Sequence, residues 1–246
     1  SSRSALSSRA SVDRLAEGSL ADRWILSRFA TITDEVTKHL EKHEFSQAGE
    51  KLRDFTWNEF ADWYLEISKV EKNSTVLMKI LKDLLALWHP FMPFVTEALY
   101  SVIPSVSSVI PSSVEGSQML IVQPWPPADL SLKNAQAEQD FSILQNMITA
   151  IRNVRAQYKI EPKEFVNIQI ETTDARLSSV INENIDIVKT LARVSEVQQG
   201  TPQHGQGITA AIVLGDLTVH VALPVDVDAE KARLEKERNN KVNYIE

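Results

Sequence analysis

Between Phe45 and Ser68 the apolar residues Phe45, Ala48, Leu52, Phe55, Phe60, Trp63, Tyr64 and Ile67 recur at three- and four-residue spacing. That period predicts a helix with one wide apolar face, and rings this large need a partner surface to bury them. Two other runs supply one. Leu20, Trp24, Ile25, Phe29, Ile32, Val36 and Leu40 mark a helix from Leu20 to about His43, and Val76–Ile103 is an apolar helical run interrupted at Pro90 and Pro93. Proline stops or bends a helix just before its ring. The run therefore reads as a helix to about Trp88, a bend, and a short helix from Phe94 to about Val102. The three together predict a helix bundle over residues 20–104.

The pattern then changes. Residues 105–129 read as a loop or linker: Ser105–Ser117 is rich in Ser, Val and Pro. Met119–Val122 is a short strand candidate, closed by Pro124, Trp125, Pro126 and Pro127. Residues 130–224 read as a small α+β unit. Ala135–Lys159 is a strong helix, with Phe141, Leu144, Ile148, Ile151 and Tyr158 broadly on one side. Residues 165–171 alternate as a strand, Ala175–Thr190 is helical, and Arg193–Gln198 is a short strand. Ile208–Leu214 and Leu217–Leu223 flank Gly215-Asp216 as a hairpin. Residues 225–246 carry Glu and Lys/Arg at helical spacing with sparse apolar positions, the start of a coiled coil. The fold class expected is mainly α: a helix bundle, a small α+β unit and the beginning of a coiled-coil helix.

Composition narrows the chemistry. The chain has 246 residues, 43% hydrophobic and 24% charged, ordinary values for a globular protein. Residues 1–19 are rich in Ser and Arg and read as a linker or the end of a piece rather than a transit peptide. With no Met at its start, the chain reads as part of a longer polypeptide. Cysteine is absent, which excludes disulfides and thiolate metal sites, and the expected location is cytoplasmic. No apolar run reaches the ~20 residues of a membrane span, so no membrane partner is expected. The net charge of -7 argues against indiscriminate nucleic-acid binding, so any RNA site is local and basic on an acidic body. None of the 7 glycines stands in a phosphate-loop pattern, and no nucleophile–base set is recognisable. No catalytic residue and no cofactor are expected in this chain.

Two clusters remain. Lys38, His39, Lys42 and His43 end the first helix beside Phe45. Cations suit a helix C-terminus. Cations beside an exposed ring also suit an unpaired RNA base, charge meeting phosphate and ring meeting base. The alternative is a ring that staples the next helix to the core beside solvated lysines. His39 and His43 have metal-ligand spacing but no third ligand, so no metal is expected. Arg152, Arg155 and Lys159 share a helix flank, either a phosphate-contacting strip or a snorkelling surface paired to Glu161 or Glu164.

At these residues the chain resembles a known family. LADRWILSRF (Leu20–Phe29), FTWNEFADWYLEISK (Phe55–Lys69), LWHPFMPFVTEALY (Leu87–Tyr100), AIRNVRAQYKIEP (Ala150–Pro162) and VDAEKARLEKE (Val227–Glu237) are similar, in this order, to segments of class I aminoacyl-tRNA synthetases of the valine/isoleucine/leucine group. The valine branch is the nearest. The resemblance implies a bundle that holds the anticodon stem-loop of tRNA, an α+β bridge, and a coiled coil that touches the tRNA elbow. It also implies that ATP belongs to the parent enzyme and its upstream catalytic motifs, which are absent here together with the editing domain. This chain is then expected to bind tRNA and to join the remaining domains of its parent, without catalysing anything alone. On that footing Arg28, Lys38, His39, Lys42 and Phe45 are the expected anticodon-loop contacts, and Arg152, Arg155 and Lys159 the expected stem contacts. Trp57, Trp63, Tyr64 and the HPFMPF kink are assigned to packing. The alternatives are the equivalent domain of an isoleucine or leucine enzyme, or a non-catalytic protein-interaction scaffold on the same bundle.

Overall fold

The computed structural model describes residues 18–72, 74–103, 119–200 and 209–223. The expected coiled coil, the linker over 105–118 and the N-terminal Ser/Arg stretch before Gly18 lie outside them. The chain divides into two compact units, Ser1–Phe141 and Ser142–Glu246.

The first unit is built on α1, Leu20–Glu41. A capping box starts it: the Ser19 hydroxyl accepts from the Asp22 amide, and the Asp22 carboxylate accepts from the Ser19 amide. Asp22 is buried and also takes the Tyr64 hydroxyl, which fixes the crossing of two helices at the same end. The next helix is one long rod of changing pitch: α2 (Phe45–Asp54), a π-helical stretch (Phe55–Tyr64) and α3 (Leu65–Glu71). Phe55 and Phe60 are both buried although five residues apart. Five is the hydrogen-bond interval of a π-helix, and the wider turn is what brings both rings to the core face. Trp57, two residues after the buried Phe55 and so on the opposite side of the rod at ~100° per residue, is 66% exposed, which corrects its assignment to packing. Trp63 is half-buried and meets Phe141 edge-on at 6.3 Å, and Tyr64 is buried.

α4 (Ser74–Trp88) and α5 (Pro93–Val102) are the two arms of the proline bend. His89 sits in that bend, with Nδ1 2.8 Å from the buried Thr96 hydroxyl, while Gly49 faces the Phe91 ring. Leu120–Val122 is a turn of 3-10 helix, not the strand expected. The Glu97 carboxylate accepts from the Leu120 and Ile121 amides at 2.8 and 3.3 Å, so the donors a strand would need are already taken. α6, Ala135–Gln157, begins in this unit, where Phe141 stacks on Trp24 with centroids 3.9 Å apart.

Glu71 closes the same end of the bundle and accepts the Ser19 hydroxyl at 2.7 Å. Burial, and to a smaller degree the nearby Asp22, raise its carboxyl above the ordinary range, opposed by that hydrogen bond. A raised pKa means the folded state holds the proton longer than the unfolded state. Its contribution is thus present below the unfolded pKa and lost as pH rises through the folded value. Glu71→Gln removes that dependence. The variant's melting temperature, relative to the parent chain's, should climb as pH is taken from below 4.5 to neutrality; a constant difference would remove Glu71 from the pH response.

In the second unit a four-stranded sheet has the order β2-β1-β4-β3. β1 is Val166–Thr172, β2 Val194–Gln199, β3 Thr209–Leu214 and β4 Leu217–Ala222. β1 and β2 run parallel, joined through α7 (Ala175–Glu183) and α8 (Ile185–Ala192). β4 is antiparallel to both β1 and β3. Val166, Ile168, Ile170, Val194, Leu217, Val219 and Val221 are buried on the sheet, and Ile181, Ile187, Val188 and Leu191 on the helices. The helix expected over Ala175–Thr190 is broken at buried Asn184, whose side-chain amide donates to the Val180 carbonyl at 2.7 Å. A side chain that competes for a helical carbonyl in this way ends the helix. Gly215, at φ +62, supplies the left-handed position of the hairpin turn.

Candidate nucleic-acid interface

α1 ends in a complete helix-stop motif. The Glu44 amide donates to the His39 carbonyl at 2.8 Å and the His43 amide to the Leu40 carbonyl at 3.0 Å, the two bonds of a Schellman turn. The left-handed position between them is usually glycine; here it is His43, at φ +63. A side chain there costs on the order of 1–2 kcal/mol of backbone strain. Strain kept at a turn suggests that the side chain is wanted for something besides folding. The His43 ring meets the Phe45 ring edge-on at 6.1 Å, and Phe45 stands 56% exposed. The stapling alternative is therefore not what the ring does: Ala48 and Leu52 hold α2 to the core, and Phe45 opens α2 outside it.

The cations around this turn differ in how free they are. Lys42 is exposed beside the two rings. Lys38 is exposed and bridges to Asp34 at 2.7 Å on the helix surface, a contact worth roughly 0.3–0.5 kcal/mol and easily exchanged for a phosphate. His39 Nδ1 lies 2.6 Å from Glu44, so its ring is held against the turn. Arg28 is not at this turn: it stands in the first half of α1, about 20 Å along the axis from its end, and it is the most committed. Its Nε and one terminal nitrogen form a fork on Glu59 at 2.7 and 2.9 Å, with Glu138 at 3.8 Å. The Glu59 hydrogen bond and charge raise its pKa against partial burial.

In the second unit, Arg152, Arg155 and Lys159 do not form a single exposed strip. Arg155 is turned inward and buried. Its terminal nitrogens donate to the carbonyls of Glu161 (2.9 Å), Glu164 (2.8 Å) and Arg193 (3.4 Å). Burial first, and the Arg193 charge second, lower its pKa. Arg152 donates from Nε to the Leu191 carbonyl at 3.0 Å while remaining exposed. Lys159 is exposed at φ +53 just past the end of α6.

Among the described residues no group of three or more His, Asp or Glu side chains could hold a metal ion, and no helix is long and apolar enough to cross a membrane. Sequence reasoning missed Trp57 as an exposed ring. Its signal was its two-residue offset from Phe55, which puts it about 200° from that ring and off the apolar stripe.

Comparison with known proteins bears on the same region. Residues 22–171 match the family described as the anticodon-binding domain of tRNA ligase. The chain is 35% identical to the valine–tRNA ligase of Dehalococcoides mccartyi strain 195 over 231 residues, 89% of this chain and 26% of that protein. It is 32% identical to the valine–tRNA ligase of Carboxydothermus hydrogenoformans (94% and 26%) and 30% identical to that of Bacillus cereus strain ATCC 10987 (92% and 26%). The chain thus spans about a quarter of the length of these curated relatives, 26% in each case.

Proposed function

Because the chain belongs to the anticodon-binding domain family of tRNA ligases, we propose that it holds the anticodon stem-loop of a valine tRNA within a longer valine–tRNA ligase. The relatives' names support the valine assignment. The observation that carries the site is the ring left in solvent at a strained turn inside the matched region, Phe45 beside His43, where Lys38 and Lys42 stand among Glu41 and Glu44. Phe45 stacks on an unpaired base, since a ring accepts any base face. Lys42 and Lys38 meet loop phosphates, and His39 is a contact once it leaves Glu44. Arg28 reaches RNA only by giving up Glu59, so it ranks last among the loop contacts. Lys159 and Arg152 are the stem candidates, and Arg155 supports the fold on which they stand.

Adenylation of valine with ATP, editing of the product and contact with the tRNA elbow belong to the rest of the parent protein, in the cytoplasm. The chain alone supplies binding.

Contacts between cations and phosphates weaken as salt rises. With about three phosphates neutralised on a single-stranded loop, the log–log salt slope is roughly -2, so affinity falls about tenfold or more over a fourfold rise in salt. Filter binding of valine tRNA at several salt concentrations reads this directly. A flat salt response would sink the basic turn as the attachment point.

A further inference from the structure

Outside the anticodon turn, the first unit contains a cavity of about 70 Å³ where the short 3-10 turn Leu130–Leu132 leads into α6. It is lined by Arg23, Leu26, Ser131, Leu132, Lys133 and Asn134. Arg23 projects from the first turn of α1, and its Nε is buried with no hydrogen-bond partner. Buried guanidinium donors are almost always satisfied, so an orphan calls for an acceptor that fits its setting. The neighbouring cations of this unit have theirs: Arg28 on Glu59, Lys38 on Asp34, Lys51 on Glu35 and Lys79 on Asp83. Among the described residues Arg23 and Lys133 are in no ion pair, and they line the same small space.

Two further features mark the ligand as an anion. α6 starts at this cavity, with Asn134 as its cap: Oδ1 accepts from the Ala137 amide and its own amide donates to the Ser27 hydroxyl. The start of a 23-residue helix carries a partial positive charge. The carboxylates nearest in sequence are engaged elsewhere: Asp22, next to Arg23, accepts from the Ser19 amide and the Tyr64 hydroxyl, and Asp129 from the amide and hydroxyl of Ser131. The space exceeds the ~10–15 Å³ that one water needs several-fold, which admits a single compact oxyanion.

We propose that this cavity is a phosphate-group site, in which the Arg23 Nε–H donates to one oxygen and the Lys133 ammonium to another. Two cations facing one space match a phosphate better than a single carboxylate. The same chemistry is offered by a phosphodiester of an RNA backbone and by a free or terminal phosphate group. The site does not depend on the anticodon reading, because its residues and its probe are separate.

The experiment is nitrogen-labelled NMR of the 246-residue chain, following the Arg23 Nε–H resonance, assigned by its disappearance in Arg23→Lys. Inorganic phosphate should move this resonance saturably at constant ionic strength. Lys133→Gln should weaken the response several-fold, and Asp129→Asn should strengthen it by removing a nearby negative charge. If the source is RNA, valine tRNA moves the same resonance, and Arg23→Gln reduces the log–log salt slope of tRNA binding by about 0.7–0.9, one phosphate's share. A response to inorganic phosphate without one to tRNA identifies a free phosphate group as the ligand. Silence of the resonance toward both, or an equal shift with chloride, overturns the site.

Discussion

Arg155→Ala should lower the stability of the second unit by about 3–5 kcal/mol, since hydrogen bonds to a charged group contribute ~1.5–3 kcal/mol each and their carbonyls are left buried. The residue joins the end of α6 to the sheet. Its Nη2 alone holds the Glu161 and Glu164 carbonyls of the turn that follows the helix. It also reaches the Arg193 carbonyl, to which the Val166 amide donates at the start of β1. In a unit of this size the melting temperature should fall by roughly 10–20 °C or more, at about 4–8 °C per kcal/mol. Arg155→Lys should recover only part of the loss, because one ammonium cannot replace both Nη2 on Glu161 and Glu164 and Nη1 on Arg193. At a temperature where the variant is still folded, tRNA affinity should be unchanged. Normal melting with impaired tRNA binding would instead return Arg155 to the RNA surface.

Phe45→Ala should do the reverse. The ring is 56% exposed and meets the His43 ring edge-on, so its removal should leave the melting temperature nearly unmoved. Stacking of one base on an aromatic ring contributes ~1–3 kcal/mol, so tRNA affinity should fall about 5- to 150-fold. A large loss of stability would place the ring in the core; unchanged affinity would remove it from the interface.

The bundle was legible in the sequence because its helices follow ordinary helical spacing and its bend is set by proline. Leu20 to Val36 on α1 and Val76 to Leu87 on α4 are buried as the stripes predict. The α+β unit was legible for the same reason, from alternation over β1 and the Gly215-Asp216 turn. Three features were not. The π-helical stretch depends on a five-residue step that only the surrounding core enforces. The strand expected at Met119–Val122 has strand-like residues, but a carboxylate distant in sequence, Glu97, takes its amides. Arg155 looked like its neighbours Arg152 and Lys159 because spacing on a helix says which side a residue faces, not whether carbonyls wait there. Of the candidate site, the sequence could name the basic turn and its ring. The left-handed His43 and the Arg28–Glu59 fork, which separate free from committed side chains, are matters of three-dimensional pairing.

The most direct test of the central claim is a titration of the chain with valine tRNA and with the same tRNA carrying an altered anticodon, at low and at moderate salt. Binding to the altered tRNA is expected to be weaker at both, with both affinities falling as salt rises. Equal binding to the two would contradict it, leaving electrostatic attachment without anticodon recognition.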